Sequence, residues 1–139
     1  MRLGLVTTAI LGGTLLATPL AAATDHCAAT KQLAQTARYD FPALGKLKMQ
    51  PGICTLRQTE YKCRWAFPGD AFGVAEAQAT HLLQCATVQS KTPPQKLKRG
   101  ETAIALESDL SMIVGAPKID DGQWQVTLRI IAETAAAKP

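Results

Sequence analysis

Two features constrain the fold of this 139-residue chain more than any others: an apolar N-terminal stretch, and four cysteines behind it at Cys27, Cys54, Cys63 and Cys85. Arg2 gives the start a positive charge, Leu3 to Leu16 carries none, Pro19 breaks the helix, and Ala21 and Ala23 are the small residues a signal peptidase needs. This predicts a cleaved signal peptide over residues 1–23, with Thr24 as the mature N-terminus. The run is shorter than the roughly 20 apolar residues of a membrane span, which argues against an uncleaved anchor. Asp25 and His26 before Cys27 argue against a lipoprotein. An even cysteine count in an exported chain predicts two disulfides. A zinc site is the alternative, but the sequence has no C-x-x-C pair and an oxidising compartment would consume the thiols. The expected location is periplasmic or secreted, and the alanine-rich composition suggests a bacterium.

Residues 24–134 read as one disulfide-bonded domain and 135–139 as a frayed tail. Thr24 or Asp25 can cap a first helix running to about Arg38, with Cys27, Thr30, Leu33, Ala34 and Ala37 on one face. Gly45, Pro51 and Gly52 then mark a connection. Cys54 and Leu56 alternate with Thr55 and Arg57. Tyr61, Cys63, Trp65 and Phe67 alternate with Glu60, Lys62, Arg64 and Ala66. That is the two-residue period of half-buried strands. A turn at Gln58-Thr59 would pair 57 with 60 and 54 with 63. Asp70 can cap a second helix to about Val88, with Val74, His81, Leu82, Cys85 and Val88 facing inward. A basic loop over 90–100 leads to one long strand, 102–114. Asp120-Asp121-Gly122 supplies turn chemistry. A last strand alternates Trp124, Val126, Leu128 and Ile130 with Gln123, Gln125, Thr127 and Arg129.

The predicted class is α+β in the order α-β-β-α-β-β, a four-stranded antiparallel sheet with two helices on one face. At the level of architecture this resembles small secreted bacterial inhibitors, a likeness that carries no function by itself. Three disulfide connectivities are open. A bridge inside the hairpin adds little to strands already paired. Bridges from helix to sheet, Cys27–Cys54 and Cys63–Cys85, would each close a loop worth roughly 3–4 kcal/mol, and this pairing is favoured.

No catalytic serine motif is present, and no cofactor is expected. His81 has only Ala77, Gln78, Leu82 and Cys85 as local neighbours, so a small hydrolase built on it is the weaker alternative to a binding module. A ribonuclease using His26, His81 and a lysine needs something to bring the two histidines together. Paired-carboxylate hydrolysis through Asp109, Asp120 or Asp121 has little support. With cleavage after Ala23, Thr24, Asp25 and His26 would offer an amine, two amides and an imidazole, a square of nitrogens suited to Cu(II) or Ni(II).

The formal net charge is +4, mildly basic and no indication of nucleic acid. Lys91, Lys96, Lys98 and Arg99 form a basic run over 91–99 suited to an anionic surface. By strand parity the solvent face of the sheet shows Thr55, Arg57, Lys62, Arg64, Glu107, Asp109, Gln125, Thr127 and Arg129, with Ile113 and Ile131 as a small apolar spot. The expectation is a non-enzymatic binding module, an inhibitor or an accessory protein of an envelope complex. Its partner would be another envelope or extracellular protein, held through Arg57, Lys62, Arg64, Arg129, Lys96, Lys98 and Arg99.

Overall fold

The computed structural model describes residues 26–133. The predicted signal peptide and tail, with Thr24 and Asp25, lie outside the described residues. The class is α+β. Helix α1 spans His26–Tyr39 and is followed by a 3-10 helix at Phe41–Lys46. Strands β1 (Ile53–Arg57) and β2 (Glu60–Pro68) lead to α2 (Phe72–Thr87). A two-residue strand β3 (Gln95–Lys96) and a 3-10 turn at Lys98–Gly100 precede β4 (Glu101–Glu107), β5 (Leu110–Gly115), β6 (Lys118–Asp120) and β7 (Gln123–Ala132).

The sheet is larger than the four strands expected. Seven antiparallel strands run in the order β1-β2-β7-β5-β4-β3, with β6 also pairing β7. Two of the extra strands are the short β3 and β6, and the third comes from residues 102–114, which form a hairpin turning at Ser108-Asp109, with Glu107 opposite Leu110. Inward parity resumes at Leu110, so the alternation hides the turn. Ser108, a polar residue at an inward position, is what marks it. Neither turn residue takes a positive φ. A register shift between Ala105 and Glu107 lets the strands pair without the primed turn a tight hairpin prefers. By contrast, Asp121 and Gly122 sit at φ 53° and 78°, as the Asp-Gly sequence predicts.

Alternation sorts the sheet into an apolar and a charged face. On the inner face one cross-strand row runs Tyr61, Ile130, Met112, Ile104, and the next runs Cys54, Cys63, Leu128, Val114, Thr102. All of these are buried. Helices α1 and α2 pack on each other and on this face. The 3-10 helix covers its β1 edge, where Tyr61 Oη donates 2.6 Å to the Leu47 carbonyl. Gly52 packs close against the Trp65 indole, and a Cβ there would fall 2.6 Å from the ring.

Two details of the helices differ from expectation. Asp70 does not cap α2. Its N-cap is Ala71, with no side-chain cap bond. The inner face of α2 is Ala75, Ala79, Leu82, Cys85 and Ala86, while Val74 and Val88 are exposed. Small residues let the helix lie close to the sheet, and the valines fall on the opposite side.

The disulfides also differ. The bridges are Cys27–Cys85 and Cys54–Cys63, not Cys27–Cys54 and Cys63–Cys85. The hairpin register places Cys54 directly opposite Cys63, with their Cα atoms 4.0 Å apart. That proximity leaves Cys27 and Cys85 to join α1 to α2. Cys27 itself is exposed rather than inward.

Candidate functional site

The outer face of the sheet is where most of the expected binding residues meet. Strands β1 and β2 present Thr55, Arg57, Lys62 and Arg64 around a hollow of about 370 Å³, edged by Ile53 and Glu60. A second hollow of about 540 Å³ begins at the same Glu60 and Lys62 and continues over Gln125, Thr127 and Arg129 to Arg99, Lys118 and Ile119. The two share a wall and form one trough across β1, β2, β7 and the β5–β6 corner. Gly115 makes the floor close: a Cβ there would lie 2.9 Å from Thr127 Oγ1.

The charges in the trough are not equivalent. Arg129 is fixed between two carboxylates, donating from Nη1 to Glu60 at 3.2 Å and from Nη2 to Glu101 at 2.9 Å. Among the described residues, Arg57, Lys62, Arg64, Arg99 and Lys118 make no ion pair. The trough therefore holds Arg129 pinned between two carboxylates at its centre, five cations without an ion pair around it, and one further carboxylate, Asp120, on its β6 wall. Two large apolar side chains stand exposed at its rim, Ile53 at 62% and Ile119 at 55%. Ile131 points outward and is half-buried, as expected. Ile113 is buried although it lies on the outer face, between Ala103 and the pinned Arg129 in the cross-strand row.

The basic run joins the trough at one point. Arg99 adopts a left-handed conformation, φ 63°, that turns the chain at Lys98–Gly100 and places Arg99 in the wall. Lys96 lies on the edge strand β3 and Lys98 follows it, both exposed. With Arg99 they line a shallower neighbouring depression. Lys91 lies apart, beside Arg38 and Gln89. Glu107 and Asp109, at the β4–β5 turn, are not part of the trough. Lys118 and Ile119 lie on β6, a three-residue strand too short to show an alternation in the sequence.

A second cluster lies on the helix side of the sheet. His26 is buried, its ring edge-on to Trp65 at 5.9 Å and 5.7 Å from the ring of His81. His81 Nε2 stands 3.6 Å from Cys85 Sγ. The fold thus brings together two histidines that no local pattern joins, by setting the start of α1 beside the middle of α2. No hydrogen bond or ion pair ties His81 to a carboxylate or hydroxyl among the described residues, so the relay that a general base requires is not assembled there. His26, the expected anchor of an N-terminal Cu(II) or Ni(II) site, turns its imidazole toward Trp65. Its companions Thr24 and Asp25 lie outside the described residues.

Tyr61 is buried in the core under the 3-10 helix. Burial pushes its phenol up to about 12, far from any role in proton transfer at neutral pH.

Comparison with known proteins adds no relative: no family model, no curated protein and no solved structure matches the chain.

Proposed function

We propose that the chain is an exported, non-enzymatic binding module whose outer sheet face docks an acidic surface patch of another envelope or extracellular protein. The observation that carries this reading is the trough: five cations that make no ion pair among the described residues outnumber its one remaining free carboxylate, Asp120, and are framed by exposed Ile53 and Ile119. Unpaired cations favour an acidic partner and speed its approach. Apolar groups at the rim favour a protein over a small anion, because they become buried only against a matching surface. The bridged sheet fixes the backbone that carries these cations, so docking orders only their side chains, at about 0.5–1.5 kcal/mol each. An oxidising compartment accords with the two disulfides and with the predicted signal peptide. No helix among the described residues is long and apolar enough to cross a membrane.

The test compares wild type with R57E/R64E/K118E in capture from an envelope extract. None of these three side chains makes an ion pair, and all are exposed, so the variant keeps its unfolding midpoint. Wild type retains a stoichiometric acidic protein that elutes with salt, and the variant does not. Equal retention by both, or no retention by wild type, rejects the reading.

A further inference from the structure

Away from the trough, the Cys27–Cys85 bridge is surrounded by groups that a structural cross-link does not need. Donor atoms of Cys27, His81 and Cys85 all lie within 4.8 Å of one another. His81 Nε2 is 3.6 Å from Cys85 Sγ, and the His26 and Trp65 rings form the wall behind. The two ends of the bridge differ in access: Cys27 is exposed, His81 half-buried and Cys85 buried. The other bridge, Cys54–Cys63, is buried at both ends.

We propose that Cys27–Cys85 is a redox gate on a zinc site: closed as a disulfide, and open as a Cys27–Cys85–His81 triad that binds Zn(II) once a dithiol has reduced it. The thiolate of the dithiol attacks the exposed Cys27 Sγ. The sulfur–sulfur bond breaks and its electron pair leaves on Cys85 Sγ, next to the His81 imidazole. The second thiolate of the reductant then attacks the mixed disulfide, closing the reductant's own disulfide and releasing Cys27. Two electrons pass to the protein, the dithiol is oxidised, and its two protons end on Cys27 and Cys85. Zinc binding expels those protons as the thiolates coordinate.

The geometry suits the ion. Zinc takes thiolate and imidazole at about 2.3 and 2.0 Å in a tetrahedron, so two sulfurs and one nitrogen stand roughly 3.5–3.8 Å apart. His81 Nε2 and Cys85 Sγ, 3.6 Å apart, already stand at that spacing; the two sulfurs, bonded to each other in the closed form, must swing apart to about 3.8 Å once the bridge is reduced, which the exposed Cys27 side chain has room to do. Three protein ligands leave the fourth position to water, consistent with Cys27 opening to solvent. The His81 nitrogen that meets Cys85 is the one that would meet the metal. Soft and borderline donors without a carboxylate favour zinc over magnesium or calcium.

The experiment uses Co(II) as a spectroscopic stand-in for zinc. The oxidised protein is treated with dithiothreitol, freed of reductant under argon, and alkylated in a portion to show that two thiols, at 27 and 85, have formed. The remainder is titrated with Co(II), then with Zn(II). The reduced protein should bind one Co(II) with a thiolate-to-cobalt charge-transfer band that Zn(II) abolishes, while retaining its native near-ultraviolet signal. The oxidised protein and C27S/C85S should show no band. Loss of an outer-shell partner alone costs roughly 10–100-fold in metal affinity, so His81→Ala, which removes a ligand, should cost about 100-fold or more. Equal binding by the oxidised protein, wild-type affinity in His81→Ala, or a band that appears only as the native signal is lost would each overturn the proposal.

Discussion

The two faces of the sheet are built from the same strands and do opposite work. In β7, Leu128 and Ile130 have no exposed surface, while Thr127 and Arg129 between and beside them are half-buried on the other side. In β2 the same one-residue step separates Tyr61 from Lys62. The inner face is held by apolar burial under two helices and tolerates little change. The outer face spends its side chains on charge and leaves most of them without internal partners. The difference shows that stability and recognition are separated here by parity alone, so substitutions one residue apart should act on different properties.

The largest effect is expected at the centre of the inner face. Leu128 lies in the row between Cys63 and Val114, fully buried. Leu128→Ala removes apolar contacts and leaves a cavity that rigid strands cannot close, at a cost of about 2–5 kcal/mol. Chemical denaturation followed by tryptophan fluorescence measures it. A cost under about 1 kcal/mol would mean that helices and sheet are less tightly packed than the buried row implies.

A smaller effect, with a distinctive pH dependence, is expected at Tyr61. Its hydroxyl bonds the Leu47 carbonyl at the edge where the 3-10 helix meets β1. Tyr61→Phe leaves that carbonyl unpaired and costs about 1 kcal/mol at neutral pH. The folded phenol titrates near 12, against 10.0 when unfolded. Because the folded pKa is raised, the associated stability is fully present below pH 10 and is lost as the pH rises through 12. The stability difference between wild type and Tyr61→Phe should therefore be constant up to about pH 10 and shrink between 10 and 12. Denaturation midpoints of the two proteins at pH 8, 10 and 12 check this, and a constant difference across the range would show that the phenol is not shielded by burial.

What the sequence made legible was this alternation and the turn between β1 and β2. The pairing of 57 with 60 and of 54 with 63 follows from a two-residue turn at Gln58-Thr59 and is what the strands do. The same register already contained the disulfide, because residues directly opposite each other lie within bridging reach. Proximity, not the stability a bridge confers, decides which bridge forms. Ser108 was the available sign of the β4–β5 turn, hidden because Leu110 restores the phase. On α2, hydrophobicity favoured Val74 and Val88 over Ala75, Ala79 and Ala86, whose value lies in their small size. Within the trough, Arg57, Lys62, Arg64 and Arg129 follow from parity. Arg99 and Lys118 depend on where a 3-10 turn and a short strand bring the chain back, and no local pattern encodes that. The meeting of His26 with His81 is likewise a consequence of how α1 and α2 cross.

The smallest effect, and the sharpest probe of the two faces, is expected next to Leu128. Arg129 has the most elaborate polar environment in the described residues, with Glu60 and Glu101 both in reach. A reading by interaction count would rank it above its apolar neighbour. Its side chain is still 24% exposed and its partners 38% and 23%, so water competes for each bond and salt screens the charges. Arg129→Met keeps the aliphatic stem that lies beside Ile113 and removes only the charge. The expected loss is under about 1 kcal/mol, and smaller in 1 M salt. Removing the arginine also leaves Glu60 and Glu101 unpaired in the trough, which lowers its positive charge and should weaken capture of an acidic partner more than it weakens the fold. If Arg129→Met instead destabilises the protein as much as Leu128→Ala, the outer face is a second structural core and the division of labour between the faces is wrong.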